Sequence, residues 1–147
     1  MSRREVLAFF RRYRRAFNRL DGDAVADLWH TPSTIADSAP DASHARVTSW
    51  SDDAPMRANL RALCEVYRRN GYRDADFELL SHQPLGRDQS FATLRWTLKR
   101  SDGSVLQSFG TGYHLLRSEQ GIRALAAAAF QEDLRRMKKR ETSHVAE

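Results

Sequence analysis

Residues 13 to 37 read YRRAFNRLDGDAVADLWHTPSTIAD, and this stretch decides the fold. It starts inside an amphipathic helix and breaks at Asp21-Gly22-Asp23. It resumes as a short helix through Ala24, Val25 and Leu28 to Trp29, and ends in a strand-like Ser33-Thr34-Ile35-Ala36-Asp37. At about 100° per residue, Val6, Phe9, Phe10, Phe17 and Leu20 fall within roughly 60° of Tyr13. Arg4, Arg11, Arg12, Arg15 and Arg19 fall on the opposite side, so a helix is predicted over residues 3 to 20 with Tyr13 at the centre of its apolar stripe. Gly22 suits the C-terminal cap of that helix and Asp23 the N-cap of the next. Thr31-Pro32 stops the second helix.

Downstream, Ser38 to Ser43 with Pro40 reads as a loop, and Arg46 to Trp50 as a short strand. Ser51-Asp52-Asp53 offers N-cap residues and Pro55 suits a first helical turn, with the helix running to Asn70-Gly71. Met56, Leu60, Leu63 and Tyr67 share one face of it. From Arg73 the period changes to two. Ala75, Phe77 and Leu79 alternate with polar residues, and so do Ala92, Leu94, Trp96 and Leu98 after a turn at Gly86-Arg87-Asp88. Ser101-Asp102-Gly103-Ser104 is a hairpin signal. The strand after it places Val105, Gln107, Phe109, Thr111, Tyr113 and Leu115 on one face. The last strand, Ile122 to Phe130, contains an alanine run with helical propensity, but its place after a turn favours a strand. Residues 1–130 are expected to form a single domain, and 131–147 a charged tail with helical character over Glu132 to Arg140. Helices first and a meander of long strands after them define an α+β fold.

The chain has 147 residues, 41% of them hydrophobic, enough to bury a core as one domain. No apolar run approaches the roughly 20 residues needed to cross a membrane. The charged N-terminus lacks a secretory apolar region, so a cytoplasmic location is expected. The net charge of +5 favours anionic partners in general. The arginines come without a glycine-rich or aromatic nucleic-acid motif, so nucleic acid is not the expected partner. Cys64, the one cysteine, lies on an apolar helix face and reads as a buried structural thiol. The histidines His30, His44, His82, His114 and His144 form no ligand-spaced pair, and neither a metal nor a cofactor is expected.

The motifs Tyr13-x3-Phe17-Asn18, Asp21-Gly22-Asp23, Ala26-x-Leu28-Trp29 and Ser33-Thr34-Ile35-Ala36-Asp37, with the late strands from Phe91 to Phe130, resemble the nuclear transport factor 2-like superfamily. This is the fold of ketosteroid isomerases, scytalone dehydratase and SnoaL-like polyketide cyclases, and the resemblance covers residues 5 to 130. It implies a cone in which three N-terminal helices pack on a curved antiparallel sheet, and a homodimer through the sheet's outer face near His114, Leu116 and Arg123. In the isomerases a tyrosine of the first helix donates a hydrogen bond to a substrate oxyanion, and an aspartate ending the first strand moves a proton. Tyr13 and Asp37 match those positions. The isomerases carry a further acid just before a histidine on a later strand, where this chain has Tyr113 before His114.

Asp37 is thus the candidate base, with Tyr13 and Tyr113 as candidate hydrogen-bond donors and Trp29, Leu63, Trp96 and Phe109 as candidate walls for a small apolar molecule. A carboxylate in an apolar pocket is drawn toward proton-transfer range, and a phenol aimed at a developing enolate stabilises its charge. Each residue also has a plainer role. Tyr13 suits a core aromatic, Asp37 a turn former, and Trp29, Trp50 and Trp96 packing anchors. The competing function is a noncatalytic interaction module that uses the basic helix or the tail. The two part on whether Tyr13 and Asp37 open into one cavity.

Overall fold

A computed structural model describes residues 1–38 and 43–130. The expected tail, and the centre of the expected loop around Pro40, lie outside the described residues. In chain order the elements are α1 (Arg3–Asn18), α2 (Gly22–Ala26), β1 (Trp29–Ser38), β2 (Arg46–Trp50), α3 (Asp53–Arg69), β3 (Tyr72–Leu85), β4 (Gln89–Arg100), β5 (Val105–Ser118) and β6 (Gly121–Phe130).

Helix α1 starts at a reciprocal cap. The Glu5 amide donates to Ser2 Oγ at 3.2 Å and the Ser2 amide donates to Glu5 Oε1 at 3.1 Å, satisfying two helix-end donors. Val6, Phe9 and Phe10 are fully buried, each contributing about 1.5–3 kcal/mol of apolar burial. Asn18 closes the helix against the sheet, its Oδ1 accepting from the Tyr72 hydroxyl at 2.8 Å and the Ala75 amide at 2.9 Å. Arg14 Nε adds a bond to the Ala75 carbonyl at 2.7 Å. These bonds hold the helix, and Tyr13 with it, at a fixed place over β3.

The break differs from expectation in detail. Leu20 takes the left-handed turn, with φ of 51°, and Asp21 is the N-cap, accepting from the Ala24 amide at 3.0 Å. Gly22 is the first residue of α2 instead of a cap. A Cβ there would lie 2.7 Å from Arg61 Cα, so the glycine lets α2 touch the backbone of α3. Arg57 ties the same two helices, reaching Asp53, Asp27 and Asp23. Thr31-Pro32 does not end a helix. It is a cis step inside β1, which begins at Trp29 and shifts register between Trp29 and Thr34.

The six strands form one curved sheet in the order β2-β1-β6-β5-β4-β3. All neighbours are antiparallel except β1 and β6, which run parallel. The expected all-antiparallel sheet misses that pair because β1 reaches β6 only by a long crossover. The alanine run is strand, as position favoured, since its backbone groups complete ladders to β1 and β5. Ala75, Leu94, Trp96, Leu98 and Leu115 are buried under the helices, as the alternation predicts, and Ala124 of β6 is buried beside them. Val105, expected on the same face, is 54% exposed, because the β4–β5 ladder shifts register between Leu98 and Lys99.

Candidate functional site

The sheet's inner face and the helices enclose a cavity of about 870 Å³, within the range of ligand pockets. Its volume has a sequence cause. On β6 the inward residues are Ala127 and Ala129, flanked across the ladder by Ile35 and Tyr113, and by Asp37 and Thr111. Two methyls stand where larger side chains would fill the space.

Tyr13, Asp37 and Tyr113 all line this cavity, as do Trp29, Leu63, Trp96 and Phe109. Tyr13 is 5% exposed and stands among aromatic rings, with centroids 5.2 Å from Phe17, 5.9 Å from Tyr113 and 6.0 Å from Trp96. Trp29 Nε1 donates to its hydroxyl at 3.3 Å. Burial first, and then the nearby Tyr113, push the Tyr13 phenol well above its ordinary value. At neutral pH it is a neutral donor.

Asp37 is not surrounded by apolar groups alone. It faces Arg46 across the β1–β2 ladder, and Arg46 donates to its Oδ2 from Nη2 at 3.0 Å and from Nε at 3.2 Å. Asp37 borders the cavity, and among the described residues its carboxylate is bonded through Oδ2 to the Arg46 guanidinium. Sequence alternation alone does not disclose this pair, because it depends on which residue of β2 faces which residue of β1.

Two further groups complete the wall. Trp50 lines the cavity, so all three tryptophans of the chain do. Thr111, 4% exposed, accepts a bond from Trp96 Nε1 at 3.1 Å. It shares the strand face of Phe109 and Tyr113, which was its only sequence signal. Cys64 is buried on α3, and burial pushes its thiol up to about 11, away from nucleophilic use. Among the described residues no group of His, Cys, Asp and Glu is placed to hold a metal ion. No helix there is long and apolar enough to cross a membrane.

Helices laid over one face of a curved, unclosed sheet, with a cavity between them, define the NTF2-like class. The chain belongs to the family described as NTF2-like protein (DUF6841), whose model matches residues 4–133. Solved structures share the fold. An NTF-2 like protein of unknown function from Shewanella oneidensis MR-1 has a TM-score of 0.67 at 14% identity, over 88% of this chain and 99% of its own. A domain of unknown function with a cystatin-like fold from Nostoc punctiforme has a TM-score of 0.69 at 11% identity, over 99% of this chain and 97% of its own. A ketosteroid isomerase-like protein from Erwinia carotovora atroseptica has a TM-score of 0.61 at 16% identity, over 88% and 95%. No curated protein matches the sequence.

Proposed function

We propose that this domain binds an apolar, ring-bearing small molecule in its cone, with Asp37 at the mouth as the group that moves a proton. The reaction types this suits are isomerisation, cyclisation and dehydration without a cofactor. One observation carries the reading: Tyr13 and Asp37 line the same cavity of about 870 Å³. The aromatic walls favour flat apolar surface, and the neutral Tyr13 donor can meet an oxyanion. The test is Asp37→Asn with any substrate that is identified. Turnover is expected to vanish while the melting temperature holds, and unchanged turnover removes Asp37 from the mechanism.

The outer face of the sheet supports self-association. Phe91 is 47% exposed there, beside a shallow groove floored by Ala36, Gly112, Ala126 and Ala128. A projecting ring next to a small-residue groove on one face is self-complementary, as a two-fold dimer requires. Phe91→Arg is expected to convert a dimer to a monomer in light scattering. A wild-type chain that is monomeric at high concentration ends this reading.

A further inference from the structure

Across the inner face of the sheet, one cross-strand row runs Leu94, Thr111, Ala129, Asp37, Arg46. It starts apolar, carries a hydroxyl, drops to a methyl, and ends in a carboxylate with its guanidinium. Adjacent strands lie about 4.8 Å apart, so Thr111 and Asp37 stand about 10 Å from each other across the space above Ala129.

The Thr111 hydroxyl is half used. Its oxygen accepts from Trp96 Nε1 at 3.1 Å, and its proton meets no acceptor among the described residues. Thr111 is nevertheless 4% exposed and borders the cavity. A hydroxyl has one proton to donate, and an unmade bond at a buried donor costs free energy. The Trp96 bond orients the oxygen, so the proton swings only over the remaining directions, among them the open space above Ala129.

We propose that Thr111 is a specificity-determining residue that donates this proton to an acceptor atom of the ligand. The bound molecule is then not a plain hydrocarbon. It is an apolar ring compound with a carbonyl oxygen, ether oxygen or ring nitrogen lying over Ala129. Tyr13 sits deeper, against Trp29 and Tyr113, and Asp37 sits at the mouth. Thr111 therefore reads a position that neither covers. This inference rests on the cavity being a ligand site.

The experiment uses two probes of like shape, 2-acetylnaphthalene and 2-isopropylnaphthalene, which differ in one acceptor oxygen. Binding is followed by the intrinsic fluorescence of Trp29, Trp50 and Trp96, all of which border the cavity. The wild-type chain is expected to prefer the ketone by about tenfold, the worth of one hydrogen bond in a dry site. Thr111→Val should erase that preference and leave the hydrocarbon affinity within about twofold, while Thr111→Ser should keep it. The ratio between probes isolates the hydroxyl, because loss of the Trp96 partner affects both probes alike. Equal binding of the two probes by the wild type, or a preference that survives in Thr111→Val, overturns the role of Thr111 and leaves the cavity reading standing. If neither probe binds the wild type, the cavity reading fails and this inference falls with it.

Discussion

Arg46 faces Asp37 across the β1–β2 ladder and closes an ion pair at 3.0 Å on the rim of the cavity. Arg46 is 73% exposed on its side chain and Asp37 30%. The pair is therefore in contact with solvent on one side and with the cavity on the other.

Such a pair is screened and adds little to stability. Arg46→Ala is expected to cost about 0.2–1 kcal/mol in urea unfolding, and less at high salt. A larger loss that salt does not reduce would show that the guanidinium also holds the mouth together by packing.

Tyr13→Phe keeps the ring and removes the hydroxyl. It leaves the buried Trp29 Nε1 without its acceptor, so a loss of about 1–3 kcal/mol is expected. Denaturant midpoints measure it. A neutral result would show that the indole finds another partner, such as water in the cavity.

Stability should fall in alkali. Burial raises the Cys64 thiol from 9.0 to about 11, and raises Tyr13 and Tyr72 as well. The unfolded chain loses these protons first, so above about pH 9 it binds fewer protons than the native state and unfolding becomes easier as pH rises. The contribution of these groups is complete below their unfolded values. That of Cys64 is lost between about pH 9 and 11 and is on the order of 2 kcal/mol. Cys64→Ala should flatten the stability curve in that interval, and an unchanged slope there would assign the effect to the tyrosines alone.

Two glycines should respond in opposite ways to alanine. At Gly22 a Cβ would meet Arg61 Cα at 2.7 Å and Arg61 N at 2.8 Å, backbone atoms that cannot swing aside. Gly22→Ala is expected to cost about 1–3 kcal/mol by forcing α2 off α3. At Gly112 nothing lies within 4 Å of the added methyl. Under dilute conditions, where the chain is a monomer and the outer groove is empty, Gly112→Ala should be neutral, or stabilising by up to about 1 kcal/mol. Thermal melting of both variants settles the pair, and equal effects would contradict the packing described here.

Ala129→Leu fills the middle of the polar row. Naphthalene-sized probes should lose at least about tenfold in affinity while the melting temperature stays level or rises. Retained binding would place the ligand elsewhere in the cavity.

Most of the architecture was legible because it is written in periodicity. The stripe around Tyr13 predicted a helix in which Val6, Phe9, Phe10 and Tyr13 are buried, while Phe17 and Leu20, at its far end, are only partly buried. The alternation through Trp96 and through Tyr113 predicted which side chains share the inner face. Less legible were features that depend on a distant neighbour. Asp21, instead of Asp23, caps α2, because Leu20 absorbs the turn one residue earlier. Gly22 looked like a cap and is a helix-packing contact, since the residue it must avoid is Arg61. The Asp37 environment, expected to be apolar, contains Arg46.

The order of helices and strands, and the inward residues of β4 and of β5 from Phe109 to Leu115, could be read from the sequence because helix and strand periods are local properties of the chain. The parallel pairing of β1 with β6, the meeting of Asp37 with Arg46 and the bond from Trp96 to the Thr111 hydroxyl arise only in the folded sheet. Each of these is a contact between strands whose register is set by the whole sheet. The space above Ala127 and Ala129 is likewise a property of their neighbours: an alanine creates a cavity only when larger side chains stand around it.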